Sequence, residues 1–206
     1  MKRVLVSAAI VAILSSALYS GGASAARPRG LVATVEDAQG NDLGTMRIIP
    51  REDGKTTVRI TAAGLTPGFH GYHVHSIGVC DPASTDTAGA LSPFFSAGGH
   101  FNPVTTSTHG SHAGDMPPLL AADDGSAWLK FVTDRFLPRD LMDADGSAVV
   151  LHAGPDNLAH VPATTATGGE RYHSHVDDIF GADTATKATG DAGARFGCGV
   201  LERISS

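Results

Sequence analysis

Short runs of five to seven residues, rich in β-branched side chains and each closed by a Gly-, Asn- or Asp-bearing turn, recur along this chain. Leu31 to Val35, Gly44 to Ile49 and Thr56 to Thr61 follow one another with turns at Gln39-Gly40-Asn41-Asp42 and Asp53-Gly54 between them. That spacing is the signature of antiparallel β structure, a sandwich or a barrel. A fourth apolar run extends from Gly71 to Ile77, and later ones cover Ser126 to Val132, Ser147 to His152 and Gly197 to Leu201. No stretch holds a helical period and no 20–50 residue repeat appears. The expectation is an all-β domain of about eight strands. Two long unpatterned stretches interrupt it, Val79 to about Leu120 and Ala153 to Arg195, and loops of that length are functional or disordered.

The first residues carry a different signal. Met1-Lys2-Arg3, an apolar stretch from Val4 to Leu18 and a small-x-small site at Ala23-Ser24-Ala25 read as a secretory leader over 1–25, leaving one domain over 26–206. The apolar stretch is shorter than the roughly 20 residues of a membrane span, so no anchor is expected after cleavage. With Lys2 and Arg3 lost, 13 basic residues against 21 acidic ones give the mature chain a net charge of −8, compared with −6 before. Acidic balance without a basic run excludes a nucleic-acid footprint. Export puts the only two cysteines, Cys80 and Cys198, in an oxidising compartment. Either they form a bridge or they serve as metal-binding thiolates, and the lack of any C-x-x-C pair favours the bridge. Closing so long a loop contributes about 4–5 kcal/mol by chain entropy.

All ten histidines fall between His70 and His175. His73 and His75 flank Val74 on a strand, where i and i+2 share a face and lie roughly 6.6 Å apart, a separation from which two imidazoles can converge on one ion. His100, His109, His112 and Asp115 fall within 16 residues of loop, and three imidazoles with one carboxylate satisfy four-coordinate zinc. His152 ends an apolar strand. Four residues on, Asp156 is either a turn residue after Pro155 or an acceptor for the spare N–H of a ligating ring. His70, at an odd offset from His73, reads as a structural histidine facing the other way. His160, His173 and His175 read as surface residues of the second loop. Arg195, in a Gly-rich segment just before Cys198, is suited to attract a small anion if it is held at the mouth of a site.

Five separated segments together resemble the copper/zinc superoxide dismutases, in particular the secreted bacterial forms. They are Gly71-Tyr72-His73-Val74-His75, Gly98-Gly99-His100-Phe101-Asn102-Pro103, His109 through Gly114-Asp115, Val150-Leu151-His152, and Gly190-Asp191-Ala192-Gly193-Ala194-Arg195 with Cys198-Gly199-Val200. The resemblance implies an eight-stranded antiparallel Greek-key barrel or sandwich with two long functional loops. It implies copper held by His73, His75, His100 and His152, and zinc held by His100, His109, His112 and Asp115, with His100 shared between the two ions. Asp156 would link the two sites by hydrogen bonds, Cys80 and Cys198 would pair, and Arg195 and His100 would act on the substrate, Arg195 by guiding it. The implied reaction is dismutation of superoxide to oxygen and hydrogen peroxide in a secreted or periplasmic protein. The alternative is a non-enzymatic copper–zinc binder of the same fold. A zinc hydrolase ranks last, because four protein ligands leave zinc no open position. The long stretch from Asn157 to Thr189 departs from the family pattern, so no charge roles carry over to it. The sequence leaves the oligomeric state open, a homodimer included.

Overall fold

The computed structural model describes residues 30–205, so the leader read over 1–25 lies outside the described residues. Twelve strands are described there: β1 (Leu31–Asp37), β2 (Asp42–Pro50), β3 (Thr56–Ala62), β4 (Gly68–His70), β5 (Tyr72–His75), β6 (Leu119–Ala121), β7 (Ala127–Thr133), β8 (Ala148–His152), β9 (His173–Ser174), β10 (Ile179–Phe180), β11 (Arg195–Val200) and β12 (Glu202–Arg203). One sheet runs β4-β6-β7-β3-β2-β1-β11-β8-β5, with β12 also pairing β1. Its pairings are antiparallel.

The two ends of that order, β4 and β5, are consecutive in the chain, with only Gly71 between them. The sheet therefore curls until its ends approach, giving a nearly closed barrel. Gly71 sits at the seam, donating to Gly154 O at 2.9 Å and accepting from His152 N at 2.8 Å.

Strands β1 and β3 alternate buried and exposed residues, as expected for one face on a core and one in water. Val35, Met46, Ile48, Ile60, Tyr72 and Leu151 belong to the interior cluster. Strands β5 and β8 are buried on every residue, because their second face is covered too. On β8, Val149 and Leu151 join the interior, while Ala148 and Val150 pack outward against Phe94, Ala97 and Cys198. The histidines of β5 and β8 thus stand between a barrel wall and a loop layer.

The all-β antiparallel expectation holds, with more strands than expected. Strands β4 and β6 are three residues long and β12 two, too short to produce a readable alternation. His70 is not on the same strand as His73. It closes β4 before the turn at Gly71, so its separate orientation comes from a change of strand rather than from an odd offset. The second long stretch is not bare loop either. It holds the β9–β10 hairpin and a six-residue helix, α1 (Thr184–Thr189), started by the Asp183 carboxylate accepting from Thr186 N and ended at Gly190. One and a half turns of Thr- and Ala-rich sequence carry no amphipathic period. Among the described residues no helix is long and apolar enough to cross a membrane.

Candidate metal centre

Strand β5 sends His73 and His75 to one side of the sheet, with ring centroids 6.3 Å apart. His152 comes from the end of the neighbouring strand, and its ring lies 5.0 Å from that of His73. The loop after β5 returns alongside it, placing His100 opposite His75 and Asp115 opposite His73. Gly114 makes that return possible: its N–H donates to Phe101 O, its carbonyl accepts from Val74 N, and a Cβ there would overlap the Val74 carbonyl. His73, His75, His100, His109, His112, His152, Asp115 and Asp156 are all buried.

Each ring of the first group has one nitrogen fixed and the other left over. His75 Nδ1 donates to Gly98 O at 2.8 Å and His152 Nδ1 to Gly193 O at 3.0 Å. His73 Nε2 donates to Asp156 Oδ2 at 2.8 Å. His100 Nδ1 lies 2.8 Å from Asp115 Oδ1. The opposite atoms, His73 Nδ1 and the Nε2 atoms of His75, His100 and His152, are buried without a hydrogen-bond partner, as is His112 Nδ1. An unsatisfied buried polar atom costs about 1–3 kcal/mol, so five would consume the net stability of an ordinary domain, about 5–15 kcal/mol. Nitrogens arranged this way could hold a metal ion, and the acceptors behind them set the tautomer that presents a lone pair.

The second group gathers on Asp115. Its Oδ1 lies 2.8 Å from His100 Nδ1, 3.2 Å from His109 Nδ1 and 3.4 Å from His112 Nδ1. Two overlapping sets of four donors have all their ligand atoms within 4.8 Å of one another. One is His73, His75, His100 and His152; the other is His73, His100, His109 and Asp115. The second set counts His73, which stacks on His100 at 4.0 Å, where the sequence reading has His112. Asp156 spans the two groups, with Oδ1 2.7 Å from His109 Nε2 and Oδ2 on His73. Gly190 leaves room for it, since a Cβ there would overlap both Asp156 Oδ1 and His109 Nε2.

Electrostatics divides the halves. Burial lowers His73 and holds His75 well below its ordinary value. Burial first, and then neighbouring rings, takes His152 down to about 3. Burial likewise takes His100 to about 4 against the opposing pull of Asp115. Burial opposes the charge on His109 too, but its hydrogen bonds to the Asp115 and Asp156 carboxylates outweigh it and raise that ring to about 9. Burial would raise both carboxyls, yet hydrogen bonds from His100 and His109 hold Asp115, and from His109 and His73 hold Asp156, below the usual carboxylate range. One half therefore offers neutral imidazoles and the other a carboxylate-bearing set. Imidazole suits copper and zinc alike, so the carboxylate is what differentiates the halves.

Comparison with known proteins agrees. Residues 43–201 match the family model described as copper/zinc superoxide dismutase (SODC). The chain belongs to this family. It is 40% identical over 178 residues to the superoxide dismutase [Cu-Zn] of Mycobacterium tuberculosis, covering 84% of this chain and 70% of that protein. It is 32% identical over 167 residues to the Escherichia coli K12 protein of that name, covering 79% and 94%. The solved Cu/Zn superoxide dismutase from Brucella abortus superposes with a TM-score of 0.57 at 27% identity, covering 83% of this chain and 98% of that one.

As a copper/zinc superoxide dismutase, the chain has copper and zinc as its cofactors. Cys80 and Cys198 are bonded, with Cα atoms 5.6 Å apart. The bridge ties the loop after β5 to β11, and that loop in turn holds Arg195, whose guanidinium donates to Phe94 O and, at 2.8 Å, to Gly98 O. Gly98 O also accepts from His75, so one carbonyl joins Arg195 to the His75 ring. The register of β11 shifts between Arg195 and Gly197, an irregularity of the kind that re-aims a side chain. Arg195 ends up opposite His152.

His70 is structural, its Nδ1 2.8 Å from the His152 carbonyl and its Nε2 2.8 Å from that of Thr66. His160 and His175 are exposed and His173 half-buried, away from the centre's ligand sets. Sequence reasoning misses Arg135, which donates to the carbonyls of His112 (3.0 Å) and Gly110 (3.1 Å) and clamps the loop bearing the second group. It also misses the carbonyls of Gly98 and Gly193. A lone Arg in a turn and a backbone acceptor leave no signal in a sequence.

Proposed function

We propose that this chain dismutates superoxide, with His73 Nδ1 and the Nε2 atoms of His75, His100 and His152 holding copper. The Nδ1 atoms of His100, His109 and His112 and a carboxylate oxygen of Asp115 hold zinc. The observation that carries the reading is the set of partnerless buried nitrogens, four of which belong to the copper set. Copper bound there supplies the one-electron couple that oxidises one superoxide to oxygen and reduces a second to hydrogen peroxide.

The chain's own residues do the rest. Gly98 O, Gly193 O and Asp156 orient the copper rings, so little reorganisation is needed during turnover. His100 keeps Nδ1 committed to the Asp115 side, so whenever its Nε2 is not holding copper that atom can hold a proton and pass it to departing peroxide. Arg195 keeps its cationic charge although burial lowers its pKa. It draws the anion in against a chain whose formal net charge is −6. The bonded cysteines fit a secreted or periplasmic location. A non-enzymatic metal holder is not favoured, because the relatives are named as superoxide dismutases.

The test is the dismutation rate of the copper- and zinc-loaded protein beside Arg195→Glu. At low ionic strength the variant should lose about 10–10³-fold in rate with metal content unchanged. An equal rate removes the guiding role, and no dismutation by the fully loaded wild-type protein removes the function.

A further inference from the structure

The β9–β10 hairpin carries a second constellation of donors, outside the centre described above. His173 Nδ1 and His175 Nδ1 face each other at 3.3 Å. Nitrogens bound about 2.0–2.1 Å from one tetrahedral ion stand about 3.3–3.4 Å apart, so the pair already has the bite of a chelate. His173 Nε2 lies 3.1 Å from Asp178 Oδ1. A carboxylate can only accept, so Nε2 carries the proton and Nδ1 presents its lone pair toward His175. Asp156 does the same for His73 at the main centre, through the same ring nitrogen.

The ring of His173 is held on its other side by Phe180, with centroids 4.8 Å apart, and the two strands pair Phe180 with His173 and Ile179 with Ser174. Ser174 Oγ donates to Asp183 Oδ2 at 2.9 Å, fastening the hairpin to the start of α1. His175 and Asp178 are exposed, so an ion can enter and water can complete its coordination.

We propose that His173 and His175 form a third transition-metal site, oriented by Asp178, that takes an exchangeable divalent ion and prefers Cu(II) to Zn(II). Two imidazole nitrogens with open positions follow the general affinity order, in which Cu(II) exceeds Zn(II). The role is binding, separate from turnover.

The experiment uses the full chain with its main centre loaded with copper and zinc, titrated with Cu(II) and then with Zn(II), and followed by metal content after dialysis and by the electron paramagnetic resonance of the added copper. The wild-type protein should take one further equivalent with a two-nitrogen signature. His175→Ala should abolish it, and Asp178→Asn should weaken it about 10–100-fold. His160→Ala should keep it, and dismutation should be unchanged in all three variants. No further equivalent in the wild-type protein would make the contact an ordinary histidine–histidine hydrogen bond and overturn the site. So would a further equivalent that survives His175→Ala.

Discussion

The two halves of the metal centre are built on different kinds of backbone. His73, His75 and His152 stand on paired strands, where period-two geometry and the β5–β8 register fix their separation. His109, His112 and Asp115 stand on irregular backbone held by distant contacts: His109 N donates to Lys187 O at 2.7 Å, and Arg135 grips two carbonyls of the same loop. The strand half is therefore set by the fold itself, whereas the loop half depends on its contacts and, under the proposed function, on the ion it would surround. Metal binding by such a loop contributes folding free energy, because ordering the backbone and binding the ion are one event.

The largest expected effect separates the halves directly. His152→Ala should abolish dismutation and copper retention while zinc stays bound and the melting temperature of the zinc-loaded protein barely moves. His112→Ala should lose zinc and lower the melting temperature more. Copper and zinc counted per chain, alongside calorimetry, decide it. If each variant sheds both metals together, the two halves form a single cooperative unit and the contrast fails.

Asp156→Asn tests the connection between them. One carboxylate now accepts from His73 and His109 at once, and an amide has a single oxygen to offer. Removing such a supporting acceptor typically costs about 10–100-fold in metal affinity. Competition with a chelator should show zinc released more readily by about that factor, and copper less affected because Gly98 O and Gly193 O still orient two of its rings. An unchanged zinc affinity would mean that the bridge is geometrically present but energetically idle.

The same division governs how far the site can be read from sequence. The shared face of His73 and His75 is legible from spacing alone, since any strand places i and i+2 on one side, but their role as ligands is implied only by the family resemblance. The tight run from His100 to Asp115 is legible from composition, because three imidazoles and a carboxylate rarely fall together without an ion. Asp156 is ambiguous locally, as a residue after Pro155 is most simply a turn. Its reach to His73 and His109 crosses 83 and 47 positions and exists only once the barrel seam has closed. The short strands β4 and β6 are set by barrel closure rather than by local propensity. So is the seat of His70. The β9–β10 hairpin is hidden for the same reason: two-residue strands are below any pattern.

Arg135 gives the smallest effect and the sharpest test of the contrast, because it touches only the loop half. Its two hydrogen bonds end on the carbonyls of Gly110 and His112, on either side of Ser111, and His112 carries a proposed zinc ligand. Bonds from a charged donor are worth about 1.5–3 kcal/mol when shielded. Arg135 is exposed, so the loss in Arg135→Gln should be nearer 1 kcal/mol, roughly five-fold in zinc affinity. Copper affinity should be unchanged, since no strand-borne ring rests on the clamp. Arg135→Lys should not rescue, because an ammonium on a flexible stem lacks the planar fork that holds two acceptors at once. Zinc affinity equal to that of the wild-type protein in Arg135→Gln would mean that the loop is ordered by Gly114, Lys187 O and the ion without the clamp. An equal fall in copper affinity would mean instead that strain in the loop reaches β5, and that the two halves do not hold their geometry independently.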